Sequence, residues 1–237
     1  MNKFIVISNQ NNDICSYLSK LNYILIHSDC ISEFIDYEQK HADMQCLVLN
    51  NTVFVLKNAK NLSEQLREMN INIIETESVA NGEYPENILL NALVIGQYIV
   101  GKVDCLDRKL IEYAQINGFK LINVNQGYTA CSCCKISDNA VITTDESIYR
   151  ALSETDIDVL KISNNSIVLD DAKRGECGFI GGASCRLDNN CILFFGDITK
   201  HEEFESINKF MKKHNVSYKY IENLSLIDIG SAVLLNF

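Results

Sequence analysis

A unit of about 47 residues recurs along this chain and is cut open at the two ends. In each unit a short β-branched strand leads into an amphipathic helix, and the helix leads into a second β-rich strand. The opening strands are Phe4-Ile-Val-Ile-Ser8, Val53-Phe-Val-Leu-Lys57, Tyr98-Ile-Val-Gly-Lys102, Ala140-Val-Ile-Thr-Thr144 and Cys191-Ile-Leu-Phe-Phe195. They begin 49, 45, 42 and 51 residues apart. A period of that size marks a repeat architecture, because a single unit cannot bury its own apolar face and must stack against its neighbours.

The helices carry their apolar residues at helical spacing: Leu62, Leu66 and Met69; Leu106, Leu110 and Tyr113; Ile148 and Leu152; Phe204, Ile207 and Met211; and, with the weakest pattern, Ile14, Tyr17 and Leu18. Asp104 reads as one N-cap and Thr144 or Asp145 as another. Thr199-Lys-His-Glu202 has the spacing of a capping box, and Gly118 supplies a left-handed stop. The strands that follow are Tyr23–Ile26, Ile71–Ile74, Phe119–Ile122, Ile157–Leu160 and Val216–Tyr220. A crossover of this length places them parallel to the opening strands. A third strand precedes four of the openings, at Cys46–Leu49, Leu90–Val94, Cys131–Ile136 and Ser184–Leu187. The first opening has no such predecessor, while Gly230–Leu235 stands at the end without a helix. The two deficits complement each other if the last strand completes the first unit and closes a ring, which limits exposed strand edges. An open doubly wound sheet is the rival arrangement. No Pro-, Gly- or Ser-rich linker interrupts the pattern, so residues 1–237 read as one α/β domain. Residues 28–45, 78–86 and 170–178 are the least periodic and read as loops or short irregular helices.

Ten cysteines in a chain of 237 residues with 47% hydrophobic and 22% charged content read as reduced core thiols of a cytoplasmic protein rather than as disulfides. The start, Met1 to Ser8, is too short an apolar stretch for a signal peptide and reads as a strand. No run approaches the length of a membrane span. A net charge of −10 argues against nucleic acid, which needs a basic face. The many Asn, Ile and Lys residues fit AT-rich bacterial coding. The expectation is therefore no membrane and no nucleic-acid partner, with the oligomeric state left open.

Five strand-helix-strand units about a pseudo-fivefold axis resemble the pentein fold, the α/β propeller of guanidino-group-modifying enzymes. That group includes arginine deiminases, dimethylarginine dimethylaminohydrolases and amidinotransferases, and also a non-catalytic ribosome anti-association factor. The resemblance implies a five-bladed α/β propeller of strand-strand-helix-strand repeats, closed by the N- and C-terminal strands. Locally, Asn125-Gln-Gly-Tyr128 with Cys131-Ser132, Gly178-Phe-Ile-Gly-Gly-Ala-Ser184 and Phe195-Gly-Asp197 look like an uncharacterised, mainly clostridial family of this fold. In the enzymes a cysteine attacks the guanidinium carbon, a histidine assists, and carboxylates grip the nitrogens. Their nucleophile lies in a Gly-rich segment opening the closing strand. The corresponding Asp228-Ile-Gly-Ser-Ala232 has no cysteine here, and Asn125 to Cys134 has no histidine.

A ring of such units brings third-strand starts and opening-strand ends towards its axis. The starts supply Asn91, Cys131, Gly182-Ala183 and Gly230-Ser231; the ends supply Asp145 and Asp197, with Asp228 nearby. Cys131 is the candidate nucleophile, ahead of Ser132 and Ser231. Asn91, Asp145, Asp197 and Asp228 are candidate substrate-binding residues for a cationic small molecule, although Thr144-Asp145 and Gly196-Asp197 also fit helix caps and turns. Cys131, Cys133 and Cys134, with Cys177 or Cys185, lack the Cys-x-x-Cys spacing of common zinc sites, so no metal or cofactor is expected. Gly178–Ala183 lacks a phosphate-loop register. His201 reads as a surface residue, His27 as a strand end, and His41 and His214 carry no special reading. Lys173-Arg174 offers an anion contact or a solvated pair. Two functions stay open: a hydrolase or transferase acting on a guanidino-, amidino- or ureido-bearing small molecule, or a non-catalytic protein that binds a small ligand or docks a macromolecule.

Overall fold

The computed structural model describes residues 3–169 and 177–235; Lys173-Arg174 lies outside them. The chain opens with β1 (Lys3–Ile7), α1 (Asn12–Lys20) and β2 (Tyr23–His27). A one-turn helix, α2 (Ala42–Gln45), precedes β3 (Cys46–Leu49), β4 (Thr52–Val55), α3 (Lys60–Glu68) and β5 (Ile73–Glu75). The third set is β6 (Leu93–Ile95), β7 (Tyr98–Gly101), α4 (Arg108–Ile116) and β8 (Lys120–Asn123). The fourth is β9 (Cys133–Ser137), β10 (Ala140–Thr143), α5 (Glu146–Ser153) and β11 (Asp158–Lys161). After β12 (Val168–Leu169) come β13 (Ser184–Asp188), β14 (Cys191–Phe194), α6 (Phe204–Lys213) and β15 (Ser217–Tyr220), and finally β16 (Ile227–Asp228) and β17 (Ala232–Leu235).

These strands form five three-stranded sheets of one topology, ordered β17-β1-β2, β3-β4-β5, β6-β7-β8, β9-β10-β11 and β13-β14-β15. In each, the first strand runs antiparallel to the middle one and the last runs parallel to it. The parallel step is the one bridged by the helix, as a crossover requires. The tail strand pairs with the head strand in the register Phe4↔Leu235 to Ile7↔Ala232. A sixth, two-stranded sheet, β12-β16, was not legible in the repeat.

Each helix stripe packs on its own middle strand. Leu62 and Leu66 share a cluster with Phe54, Ile207 and Met211 with Phe194, Ile148 and Leu152 with Val141, and Ile14 and Leu18 with Ile5 and Ile7. Middle strands β4, β10 and β14 are buried along their whole length, which is why they read as continuous apolar runs rather than alternating ones. A fully buried side chain such as Phe54 or Phe194 contributes about 1.5–3 kcal/mol.

Helix ends follow a rule that the sequence discloses only in part. Asn22, Asn70, Gly118 and Asn215 each follow a C-cap with positive φ, between 56° and 78°; of non-glycine residues, Asn tolerates this conformation best. Asn11 caps α1, and Asp107, rather than Asp104, caps α4 by accepting the Lys109 amide hydrogen. The expected capping box at Thr199–Glu202 is absent. Asp197 caps a short 3-10 turn there, and α6 starts only at Phe204. His201 is buried rather than exposed, its Nδ1 accepting from Glu203 N–H at 3.1 Å.

The first strands of the sheets meet one another: β17 touches β13 and β3, and β9 touches β6 and β13. Residues from all five line one cavity of about 330 Å³, among them Leu47, Val94, Cys134, Arg186 and Val233. Among the described residues no helix is long and apolar enough to cross a membrane.

Candidate functional site

A second cavity of about 330 Å³ is lined by Glu38, His41, Tyr128, Cys131, Phe179 and Asp228, together with Ile35, Tyr37, Leu169 and Cys177. Tyr37, Glu38 and His41 come from the aperiodic stretch 28–45, so their placement depends on local bracing. The Ser28–Gln45 segment is fixed by the buried Gln45. Its Nε2 donates to Asp29 O at 2.7 Å and Gln39 O at 3.0 Å, and its Oε1 accepts from Asp29 N–H at 2.8 Å. This holds Glu38, His41 and Asp43 against the end of the chain, where Asp43 N–H donates to Gly230 O at 3.1 Å.

Cys131 lies in the turn before β9, only 3% exposed. Asn91 fastens it: Nδ2 donates to Cys131 Sγ at 3.1 Å and to Asp43 O at 3.2 Å, while Oδ1 accepts from Ala130 N–H at 2.8 Å. Sγ of Cys131, one carboxylate oxygen of Asp43 and one ring nitrogen of His41 all lie within 4.8 Å of each other, and all three residues are buried. His41 Nε2 and both Asp43 oxygens lack a hydrogen bond of normal geometry, although the Cys131 thiol stands close enough to Asp43 to act on it as a weak donor. Buried polar groups are rarely left so.

Asp228 completes the cluster. Its Oδ2 accepts from Phe179 N–H at 2.8 Å and its Oδ1 from Gly230 N–H at 2.9 Å. Gly182 is required beside it, because a Cβ there would fall 1.8 Å from Asp228 Oδ1. Glu38 accepts from Asn87 Nδ2 at 3.0 Å, and Asn87 also donates to the Tyr128 hydroxyl at 3.0 Å.

The electrostatics follow first from burial. Desolvation, then the Asp228 charge, pushes the Asp43 carboxyl up to about 8. Desolvation raises Glu38 as well. It drives the Cys131 thiol well above its ordinary range, and Asp43 and Asp228 add to that. Burial pushes the His41 imidazole down to about 4. At neutral pH the site therefore holds a thiol, a neutral imidazole and a carboxyl poised near its own pKa. A cation entering the cavity would offset all three acidic groups at once.

The family model described as "Family of unknown function (DUF6873)" matches residues 5–233. The chain belongs to that family. No curated protein matches the DUF6873 chain in sequence. Solved structures match it over nearly its whole length at low identity. DDAH from Pseudomonas aeruginosa, complexed with citrulline, is 10% identical with a TM-score of 0.56, covering 94% of this chain and 92% of that one. SxtG, an amidinotransferase from Microseira wollei, is 10% identical with a TM-score of 0.57, covering 95% and 89%. The agmatine deiminase of C. jejuni is 12% identical with a TM-score of 0.53, covering 98% and 92%. This DUF6873 protein thus has a mixed α/β fold of the pentein kind, as its repeat implied.

Of the residues singled out from the sequence, Cys131, Asn91 and Asp228 come together. Asp145 and Asp197 are engaged as caps. Asp145 Oδ1 accepts from Ser147 N–H at 2.7 Å and Ile148 N–H at 3.0 Å, and its Oδ2 accepts from Gln126 at 3.2 Å. Asp197 accepts from Thr199 N–H at 3.1 Å and pairs with Lys200 at 3.3 Å. His41, Asp43 and Glu38 were missed because they stand in an aperiodic segment. The one signal there was composition: a His-Ala-Asp-Met run just before the strand that opens at Cys46.

Proposed function

We propose that this protein is a five-bladed α/β propeller, that the cavity lined by Glu38, His41, Cys131 and Asp228 takes a small molecule bearing a guanidino, amidino or ureido group, and that Cys131 is the nucleophile in its hydrolysis or group transfer. The observation that carries this reading is the triple proximity of the Cys131 thiol, the Asp43 carboxyl and the His41 imidazole at a cavity walled by Asp228 and Glu38. The shared cavity of the five first strands and the head-to-tail sheet support the propeller. The named chemistry of the similar structures supports the substrate class.

The chemistry follows from charge. A guanidinium in the cavity places a positive charge beside Asp228 and Glu38, and a thiolate then costs far less than in the empty site. The same positive charge lowers Asp43, which releases its own proton to solvent and then takes the Cys131 proton. The thiolate forms a bond to the amidine carbon and the C=N electron pair moves onto nitrogen. Collapse then breaks the C–N bond, and the departing amine takes the proton from Asp43. Water, or an acceptor amine in a transfer, attacks the resulting thiouronium carbon. Neutral His41 removes the proton of that attacker, and the Cys131 thiolate leaves. The Gly-rich Asp228–Ala232 segment reaches this site as the pentein resemblance implies, but brings a carboxylate in place of a thiol.

Chloroacetamidine, a cationic alkylating amidine, tests the reading against neutral iodoacetamide. The expected result is saturable, selective labelling of Cys131 by the amidine, lost in Cys131→Ser. Labelling of Cys131 no faster than by iodoacetamide would overturn it.

A further inference from the structure

The same three side chains present three different donor atoms to one point: an imidazole nitrogen, a carboxylate oxygen and a sulfur, all within 4.8 Å of one another and all buried. We propose that His41, Asp43 and Cys131 form a binding site for one divalent transition metal, zinc by its donor chemistry, with one coordination position open to the cavity.

Four observations carry this. First, His41 Nε2 and both oxygens of Asp43 are buried with no hydrogen bond of normal geometry, the Cys131 thiol being at most a weak donor to Asp43. A metal ion would supply a partner for the imidazole nitrogen and for one Asp43 oxygen at once. Second, mixed nitrogen, oxygen and sulfur ligation suits zinc, whose bonds of about 2.0–2.3 Å set tetrahedral donors roughly 3.4–3.6 Å apart. Third, the outer contacts of a thiolate ligand are already in place: Asn91 Nδ2 donates to Cys131 Sγ at 3.1 Å and is itself fixed by Asp43 O. Fourth, charge balances, because a thiolate and a carboxylate with a neutral imidazole cancel a divalent cation in a cluster that also faces Asp228 and Glu38. Binding is a proton exchange without redox chemistry: Cys131 and Asp43 each yield a proton to solvent as the sulfur–metal and oxygen–metal bonds form.

His41 and Cys131 both line the cavity of about 330 Å³, so the fourth position faces it. The site itself stands without the covalent chemistry proposed above. Its regulatory consequence rests on that reading, since a thiolate held by zinc cannot attack a substrate, and metal and substrate then exclude each other.

The test uses the full chain, stripped with a chelator and titrated with cobalt(II) and then zinc. The expected result is saturation at one equivalent with a near-ultraviolet sulfur-to-cobalt charge-transfer band. Zinc should bleach that band, Cys131→Ser should abolish it, and Cys133→Ser should retain it. His41→Gln and Asp43→Asn should each weaken binding about tenfold or more. No band in the parent protein, or an undiminished one in Cys131→Ser, overturns the proposal. Should Cys131→Ser fail to fold by circular dichroism, undiminished affinity in both His41→Gln and Asp43→Asn overturns it equally. Chloroacetamidine labelling is run with chelator present, so its failure removes the covalent reading while leaving the metal site standing. Cobalt failure does the reverse.

Discussion

Asn91 grips Cys131 from both of its polar ends, donating to the sulfur at 3.1 Å and accepting the Cys131 amide at 3.5 Å and the Ala130 amide at 2.8 Å. Its two amide hydrogens serve three acceptors, the others being Asp43 O and Met44 Sδ. One fully buried side chain thus ties the turn before β9 to α2 across the cluster.

Replacing Asn91 by Ala should therefore strand the Ala130 amide and Asp43 carbonyl without partners. The expected loss is about 1–3 kcal/mol of stability, read as a lower urea midpoint. An unchanged midpoint would mean that these bonds are not formed in solution.

The titration of Asp43 should be visible in stability against pH. Its folded pKa is raised from 3.8 to about 8, so the folded chain keeps an extra proton across that interval and loses stability as pH climbs through it. His41 is lowered from 6.5 to about 4, so its contribution increases with pH between those values and opposes the Asp43 slope. Above about pH 6.5 His41 no longer opposes the Asp43 slope. Denaturation from pH 6.5 to 8 should show the parent protein declining relative to Asp43→Asn, by at most about 1.4 kcal/mol per pH unit. Parallel curves would refute the buried, proton-bearing carboxyl.

Gly230 has a φ of +74°, and a Cβ on it would stand 2.2 Å from His41 Cγ. Gly230→Ala should cost about 1–3 kcal/mol through crowding and should displace His41, so cobalt affinity falls as well. Gly118→Ala, at a φ of +78° with nothing within 4 Å of the new Cβ, should carry the backbone strain without touching the cluster.

Deleting residues 230–237 removes β17, the antiparallel partner of β1 and a neighbour of β13 and β3. The shortened chain should lose the cooperative thermal transition by circular dichroism. Retention of the parental melting temperature would show that the head-to-tail pairing is dispensable.

Much of this was written locally. Apolar runs such as Thr52–Val55 and Cys191–Phe194 and stripes such as Ile207 and Met211 disclose strands and helices, because burial of one face is what drives them. The repeat also exposed the pairing of Gly230–Leu235 with Phe4–Ser8 as a matter of counting strands. Cap identity was less legible: Asp104 and Asp107 are chemically alike and three residues apart, and only the 3-10 turn at Val103–Cys105 decides between them.

The site divides in the same way. Sequence alone determined the repeating units, the complementary ends, and the candidacy of Cys131 and Asn91 at expected third-strand starts with Asp228 nearby, since periodicity fixes roughly where strands begin; the strands in fact open two residues later, at Leu93 and Cys133. Tertiary structure alone decided that His41 and Asp43 stand beside that cysteine while Asp145 and Asp197 are absorbed as caps. The physical reason is that an aperiodic segment takes its position from long-range contacts, here Gln45 to Asp29 and Asp43 to Gly230. Neither contact leaves a pattern in the neighbouring residues.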